Sequence, residues 1–318
     1  MATVISNWDR HHRRLRLQRR SFSFSFSRRR LLRFLLIALA TIAILPPLFF
    51  HLSLRRFHQI QSKKCDWMQR PPLVCAHGGD STKALPNTMD AFNIALSSQV
   101  DCIEIDVSRS SDGVLFALHD RDLQRISGNS SSKVGYLSMK EIAYLTHAIN
   151  ILTIEDAVKL VAGSVRQVIL DAKVGPPLYE KGFAKDILSL VERTSCKNCL
   201  IWAKSDSLAR DAIKLSTHTT VGYIVMMDPS TGTRSKLLRM RGADVVGVYY
   251  PLIDEQLVTI LHRRNKKVYA WTVDEEADMQ KMLLERVDGV VTGNPTLLQR
   301  VMEDARTQCF EGGYLLPS

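Results

Sequence analysis

LVCAHGGDSTKALPNTMDAFNIALSSQVDCIEIDVS, residues 73–108, carries the pattern from which the fold is read. LVCAH (73–77) is a short apolar run that ends in His77 and a Gly-Gly pair, where the chain can turn sharply. TMDAFNIALSS has the apolar spacing of an amphipathic helix, and CIEIDVS (102–108) is β-branched again. Strand, helix and strand in this order form the unit of a parallel sheet. The rhythm recurs through QVILDAK (167–173), CLIWAKS (199–205), VGYIVM (221–226), DVVGVYY (244–250), KVYAWTV (267–273) and DGVVTG (288–293). FAKDILSLVERT, SLARDAIKLS, EQLVTILHRR and EADMQKMLLERV lie between them as helices. Eight such strands predict an α/β fold, a (β/α)8 TIM barrel. An open doubly wound sheet is the alternative, but no GxGxxG follows the first strand, so dinucleotide binding has no support.

One interval breaks the rhythm. Between 108 and 155 the sequence inserts a short strand, LFALHD, a Gly/Ser-rich turn, SGNSSSKVG, and a connecting helix. Barrel enzymes place their working residues in loops at the C-terminal ends of strands, and this longest loop follows the most acidic strand. Glu104 and Asp106 lie two apart, so on a strand they face the same side, and Asp171 with Lys173 repeats the geometry. His77 ends the first strand and His119 ends LFALHD. Charges inside apolar strands are costly to bury unless paired or metal-bound. An interior salt-bridge network would account for a single pair; two same-side pairs plus two strand-end histidines point to a site. Three carboxylates without a thiolate suit a hard divalent cation, Mg²⁺ or Ca²⁺. Two histidines beside it suit general acid–base cleavage of a phosphate ester.

The net charge of +11 is located in the tail. Residues 1–70 hold 15 Lys and Arg against Asp9 and Asp66, whereas the remainder is nearly balanced, 28 basic against 30 acidic. Nucleic-acid binding is therefore set aside, and nothing points to a protein partner. FLLIALATIAILPPLFF (34–50) is uncharged, apolar on every face, and close to the roughly 20 residues a bilayer span requires. Arg13, Arg14, Arg16, Arg19, Arg20, Arg28, Arg29 and Arg30 precede it; Arg55, Arg56, Lys63 and Lys64 follow. This bias predicts a single-pass type II protein, its N-terminus cytosolic and its C-terminal domain lumenal or extracellular. A cleaved signal peptide and, given the Arg- and Ser-rich tail, organellar import remain alternatives. The expected organisation is a basic tail (1–30), a transmembrane helix (31–54), a polar linker (55–70) and a barrel (71–318). Asn129-Ser130-Ser131 is a glycosylation sequon that suits a lumenal domain. Six cysteines are too few for a disulfide scaffold in 318 residues. Cys75 and Cys102 are expected as buried core thiols, and Cys196 with Cys199 as a local disulfide.

AHGGDSTKALPNTMDAFNIALSSQVDCIEIDVSRSSDGVLFALHD resembles the signature of the glycerophosphodiester phosphodiesterase family: HRG, PENT, AF, ExDV, then DG before HD. The resemblance continues through ILDAK, AWTVD and DGVVTGNP, over about residues 72–300, and its HGG is similar to a membrane-anchored plant-type branch. It implies a barrel of the phospholipase C-like phosphodiesterase type that hydrolyses small-molecule glycerophosphodiesters to glycerol 3-phosphate and an alcohol, tethered to a membrane by its N-terminal helix. In that scheme His77 and His119 match the catalytic pair, and Glu104, Asp106 and Asp171 match metal ligands. Lys173 matches the phosphate-side lysine and Trp271 the aromatic of the WTV strand. Three positions depart from the pattern. Gly78 stands where the family has Arg, Leu85-Pro86 replaces Pro-Glu, and Asp171 stands where Glu is usual. Lys83 or Asp80, in the same loop, could compensate. Two further readings follow: a lysophospholipase D-like activity on membrane lipids, or a catalytically silent, membrane-anchored module that binds phosphate ligands.

Overall fold

The computed structural model describes residues 27–146, 151–175, 181–216, 218–228 and 230–314. The chain divides into two compact units, Met1–His58 and Gln59–Ser318. The first holds most of the helix Arg28–Cys65, whose most apolar stretch has a mean hydropathy of 2.2 and is wholly exposed. By length and composition this helix can cross a membrane. Pro46 and Pro47 lie inside it rather than ending it, and residues 55–65, expected as linker, continue it. The expected basic tail lies outside the described residues as far as residue 26.

In the second unit the strands are β1 (Leu73–His77), β2 (Cys102–Arg109), β3 (Leu115–Ala117), β4 (Gln167–Ala172), β5 (Cys199–Ala203), β6 (Thr220–Val225), β7 (Val245–Tyr249), β8 (Lys267–Trp271) and β9 (Gly289–Thr292). All pair in parallel except β3, which turns back on β2 with Val107 opposite Ala117. β1 pairs with both β2 and β9, so eight strands close into a barrel and β3 stays outside the ring. The expected architecture is present.

Strand alternation sorts the side chains. Cys75, Cys102, Ile169, Leu200, Trp202, Ile224, Val245, Tyr269 and Val291, drawn only from the barrel strands, pack on one another as the interior. Ile103, Ile105, Val107, Val168 and Leu170 face outward into the larger core shared with the surrounding helices. Gly247 makes room for the Trp202 indole, since a Cβ there would meet ring carbons at 2.7 and 2.9 Å. The long insertion has a small core of its own, Phe116, Leu118, Leu123, Val134 and Ile142, which fixes the segment that carries His119.

The cysteines correct the sequence reading. Cys75 and Cys102 are buried, but they are joined in a disulfide, because the β1–β2 register sets them side by side. Cys196–Cys199 is bonded as expected, and Cys65–Cys309 closes the third bridge across 244 residues. No free cysteine remains among the described residues. Bridging so long a loop stabilises mainly by constraining the unfolded chain, on the order of 2–4 kcal/mol.

Gly247→Ala is expected to lower stability by about 1–3 kcal/mol through overpacking against Trp202. Gly163→Ala, whose added Cβ would meet nothing within 4 Å, is the control and should change stability by less than about 1 kcal/mol. Thermal unfolding of both variants checks the contrast.

Candidate functional site

Two residues beyond the apolar interior layer, the same inward positions become polar. β1 steps from Cys75 to His77, β2 from Cys102 to Glu104 and Asp106, and β4 from Ile169 to Asp171 and then Lys173. β8 steps from Tyr269 to Trp271. The β2–β4 register places Asp106 opposite Asp171, and β1–β2 places His77 opposite Glu104. His119 enters from the insertion, two residues past β3. Six of the seven residues singled out in the sequence (His77, Glu104, His119, Asp171, Lys173 and Trp271) line one cavity at the C-terminal end of the barrel. The seventh, Asp106, is 2.5 Å from Lys173 Nζ.

The carboxylates are 1%, 2% and 6% exposed at Glu104, Asp106 and Asp171, a degree of burial that demands compensation. Lys173 Nζ supplies part of it, in contact with Asp171 and 3.9 Å from Glu104. Burial pushes the Glu104 carboxyl well up and Asp106 pushes it further, against the pull of Lys173. For Asp106 burial acts in the same upward sense, yet Lys173, joined by the two imidazoles once they are protonated, outweighs it and holds its carboxyl well below the usual range. Burial alone would lower Lys173; Asp106, Asp171 and Glu104 reverse this and raise it far above its ordinary value. One ammonium thus faces three carboxyls, and one of these is driven towards its neutral form.

That imbalance suits a divalent cation. One oxygen from each of Glu104, Asp106 and Asp171 lies within 4.8 Å of the others, and Asp171 Oδ1 is buried without a hydrogen-bond partner among the described residues. An all-carboxylate donor set fits a hard cation such as Mg²⁺ or Ca²⁺.

The histidines are desolvated. Burial lowers His77, with Asp106 opposing and Lys173 and Arg121 assisting. Burial and then Lys173 lower His119 to about 4. The Arg121 backbone N–H donates to His119 Nδ1 at 3.2 Å, so the neutral ring keeps its proton on Nε2. His77 Nε2 lies 4.0 Å from Glu104 Oε2.

Three participants escaped the sequence reading. Asn87 clamps Asp106, its Nδ2 donating to Oδ2 at 2.8 Å and its Oδ1 accepting from the Asp106 N–H at 3.0 Å. Its signal was its place in the PNT triplet. Lys204 and Arg121 border the same cavity; Lys204 follows Leu200 and Trp202 at the inward spacing of β5, whereas nothing local marked Arg121. The expected compensation from Asp80 or Lys83 does not occur. Lys83 pairs with Asp80 at 2.9 Å and donates to Thr296 Oγ1, and neither residue lines the cavity.

The pattern that defines the glycerophosphoryl diester phosphodiesterase family matches residues 77–297. Glycerophosphodiester phosphodiesterase GDPD4 of Arabidopsis thaliana is 60% identical over 306 residues, 93% of each chain. Lysophospholipase D GDPD3 of Homo sapiens is 22% identical, over 86% of this chain and 96% of that protein. Among solved structures, an Oleispira antarctica phosphodiesterase in complex with the product sn-glycerol-3-phosphate superposes with a TM-score of 0.63 at 21% identity, covering 73% of this chain and 97% of that one.

The depressed His119 value has a consequence for stability. Between about 4 and 6.5 the unfolded chain protonates this imidazole before the folded one does. The stability it contributes is therefore complete above about 6.5 and is lost as pH falls towards about 4. In chelator, the melting temperature should fall through this window, and His119→Asn, which keeps a capping side chain, should flatten the fall.

Proposed function

The chain belongs to the glycerophosphoryl diester phosphodiesterase family, and on that premise we propose that it cleaves glycerophosphodiesters to sn-glycerol 3-phosphate and an alcohol, with His77 and His119 as the acid–base pair. That it is a phosphoric diester hydrolase follows from the family and its 60% identical relative. The observation that carries the finer reading is the meeting of two desolvated imidazoles, three carboxyls and one ammonium in a single cavity at the barrel's C-terminal end.

In this mechanism one imidazole accepts the proton of the glycerol 2-hydroxyl as that oxygen attacks phosphorus. The other gives its proton to the departing alkoxide, and water then opens the cyclic phosphate with the roles exchanged. Burial keeps both rings neutral before substrate arrives, the form that accepts a proton. A bound phosphate anion raises the neighbouring imidazole and so prepares the acid. His119 exchanges its proton through Nε2, because Nδ1 is held by the Arg121 N–H. Lys173 contributes positive charge beside the phosphoryl oxygens, and Trp271, whose indole N–H has no hydrogen-bond partner among the described residues, offers the glycerol end an apolar face and a donor. A divalent cation held by Glu104, Asp106 and Asp171 would supply charge that stabilises the phosphorane-like transition state.

A lysophospholipase D-like activity is the second reading, favoured by the N-terminal apolar helix and by the likeness to the human lysophospholipase D. The same helix and the arginines before it support a single-pass type II protein with a lumenal or extracellular barrel. The three disulfides favour that oxidising setting over organellar import.

Release of glycerol 3-phosphate from glycerophosphocholine should require Mg²⁺ or Ca²⁺ and cease in EDTA. His77→Ala and His119→Ala should each lower kcat by about 10²–10⁴. Undiminished turnover in either variant would sink the acid–base pair, and turnover of lysophosphatidylcholine alone would favour the second reading. A folded wild type that binds the diester without turnover under any cation would leave the silent binding role. For topology, endoglycosidase treatment should shift the mobility of the wild type but not of Asn129→Gln, because Asn129 is exposed in its turn; an unshifted band together with free thiols at all six cysteines would exclude the lumenal placement.

A further inference from the structure

Gly78 turns tightly against Pro86 and Asn87. Gly78 has φ +64°, and a Cβ on it would sit 2.8 Å from Pro86 Cβ and 3.3 Å from the Asn87 nitrogen. Real Cβ atoms essentially never approach a neighbour below 3.0 Å, so in this loop conformation any side chain at 78 would force residues 85–87 to shift. The phosphate contact that the family pattern assigns to that arginine must come from elsewhere in this chain.

Lys173 alone is a poor substitute. An ammonium has three donors, and here it faces three carboxyls, Asp171, Asp106 and Glu104. Two other cations border the same cavity, Lys204 and Arg121. Neither forms an ion pair among the described residues, whereas most basic side chains nearby do: Lys133 with Asp120, Arg125 with Asp122 and Arg109 with Asp186. Lys204 continues the inward series Leu200, Trp202 of β5, and its Nζ rests 5.2 Å from the centre of the Trp271 ring. It lines both this cavity and the wider one beside it, which share His119, Asp171 and Lys173. Positive charge on two side chains without an ion pair among the described residues, lining a cavity that also holds both histidines and Trp271, is a place for an anion.

We propose that Lys204, with Arg121, binds the phosphate of the substrate in place of the arginine absent from position 78. The inference rests on the hydrolytic reading for the identity of the ligand, but the anion site is separately measurable. Lys204 reaches in from β5 and Arg121 from the insertion, so the phosphate is held from the sides of the cavity rather than from its β1 edge. The exposed Lys204 side chain can swing from Trp271 onto the anion, and its departure uncovers the indole for the glycerol moiety.

The test uses the full chain in detergent or nanodiscs, with calorimetric titration of inorganic phosphate beside steady-state kinetics on glycerophosphocholine. Lys204→Gln should weaken phosphate binding about tenfold or more, raise KM more than it lowers kcat, and reduce the dependence of affinity on salt. Lys204→Arg should restore most of the affinity, which a merely structural role would not predict. Arg121→Gln should weaken binding further when combined with Lys204→Gln. A folded double variant, with unchanged melting temperature, that binds phosphate as tightly as wild type overturns the proposal. Phosphate binding that depends on Lys204 in a wild type without turnover would uphold the anion site while the hydrolytic reading fails.

Discussion

An ammonium set among three carboxyls, inside a barrel otherwise filled with apolar side chains, is the interaction on which the upper half of this fold depends. Glu104, Asp106 and Asp171 could not be buried singly, because an isolated charge in such surroundings costs far more than the domain's net stability. Lys173 makes the cluster tolerable, Asn87 locks Asp106, and the Gly78 N–H donates to Glu104 Oε2 at 3.0 Å. Removing one partner from such a pair costs about 3–5 kcal/mol, so the cluster constrains the sequence for stability as well as for chemistry. The excess of negative charge that remains once Lys173 is counted makes the same cluster receptive to a cation.

The lower half of the interior is organised differently. There the strands meet through apolar contact, and the widest side chain, Trp202, fits because its neighbour on β7 is Gly247. The Cys75–Cys102 bridge ties β1 to β2 one inward step below His77 and Glu104. A rigid floor beneath the site is useful to acid–base chemistry, which tolerates little displacement of the reacting groups. The insertion carrying His119 gains comparable definition from its own small core and from Ser108 Oγ, which donates to the Leu118 carbonyl just before the histidine.

Gly78 and Pro86 show how a departure from a family pattern acquires meaning only in three dimensions. In the sequence they are separate losses, an arginine and a carboxylate. In the fold both fall in one tight turn, where a Cβ on Gly78 would meet the Pro86 Cβ at 2.8 Å, and the glycine's positive φ lets the strand end turn towards the helix Met89–Ser97, capped by Thr88. Asp80 and Lys83, attractive substitutes by proximity along the chain, pair with each other, and neither lines the cavity.

Features that depend on short periods along the chain are legible from the residues alone. Alternation of two in CIEIDV and ILDAK put Glu104 and Asp106, and Asp171 and Lys173, on common sides, and recurring strand–helix units announced the barrel. The gap after the acidic strand located His119's loop. Tertiary structure decided what depends on register and closure between distant segments. Cys75 meets Cys102 only because β1 and β2 align in that register, and Cys65 meets Cys309 across nearly the whole barrel. Asn87, Lys204 and Arg121 reach the site from three separate elements with no shared local motif. Local periodicity fixes the side of a strand on which a residue points, since that follows from backbone geometry at single residues. Which residues then converge is set by the pairing of strands far apart in the chain, and no short-range pattern records it.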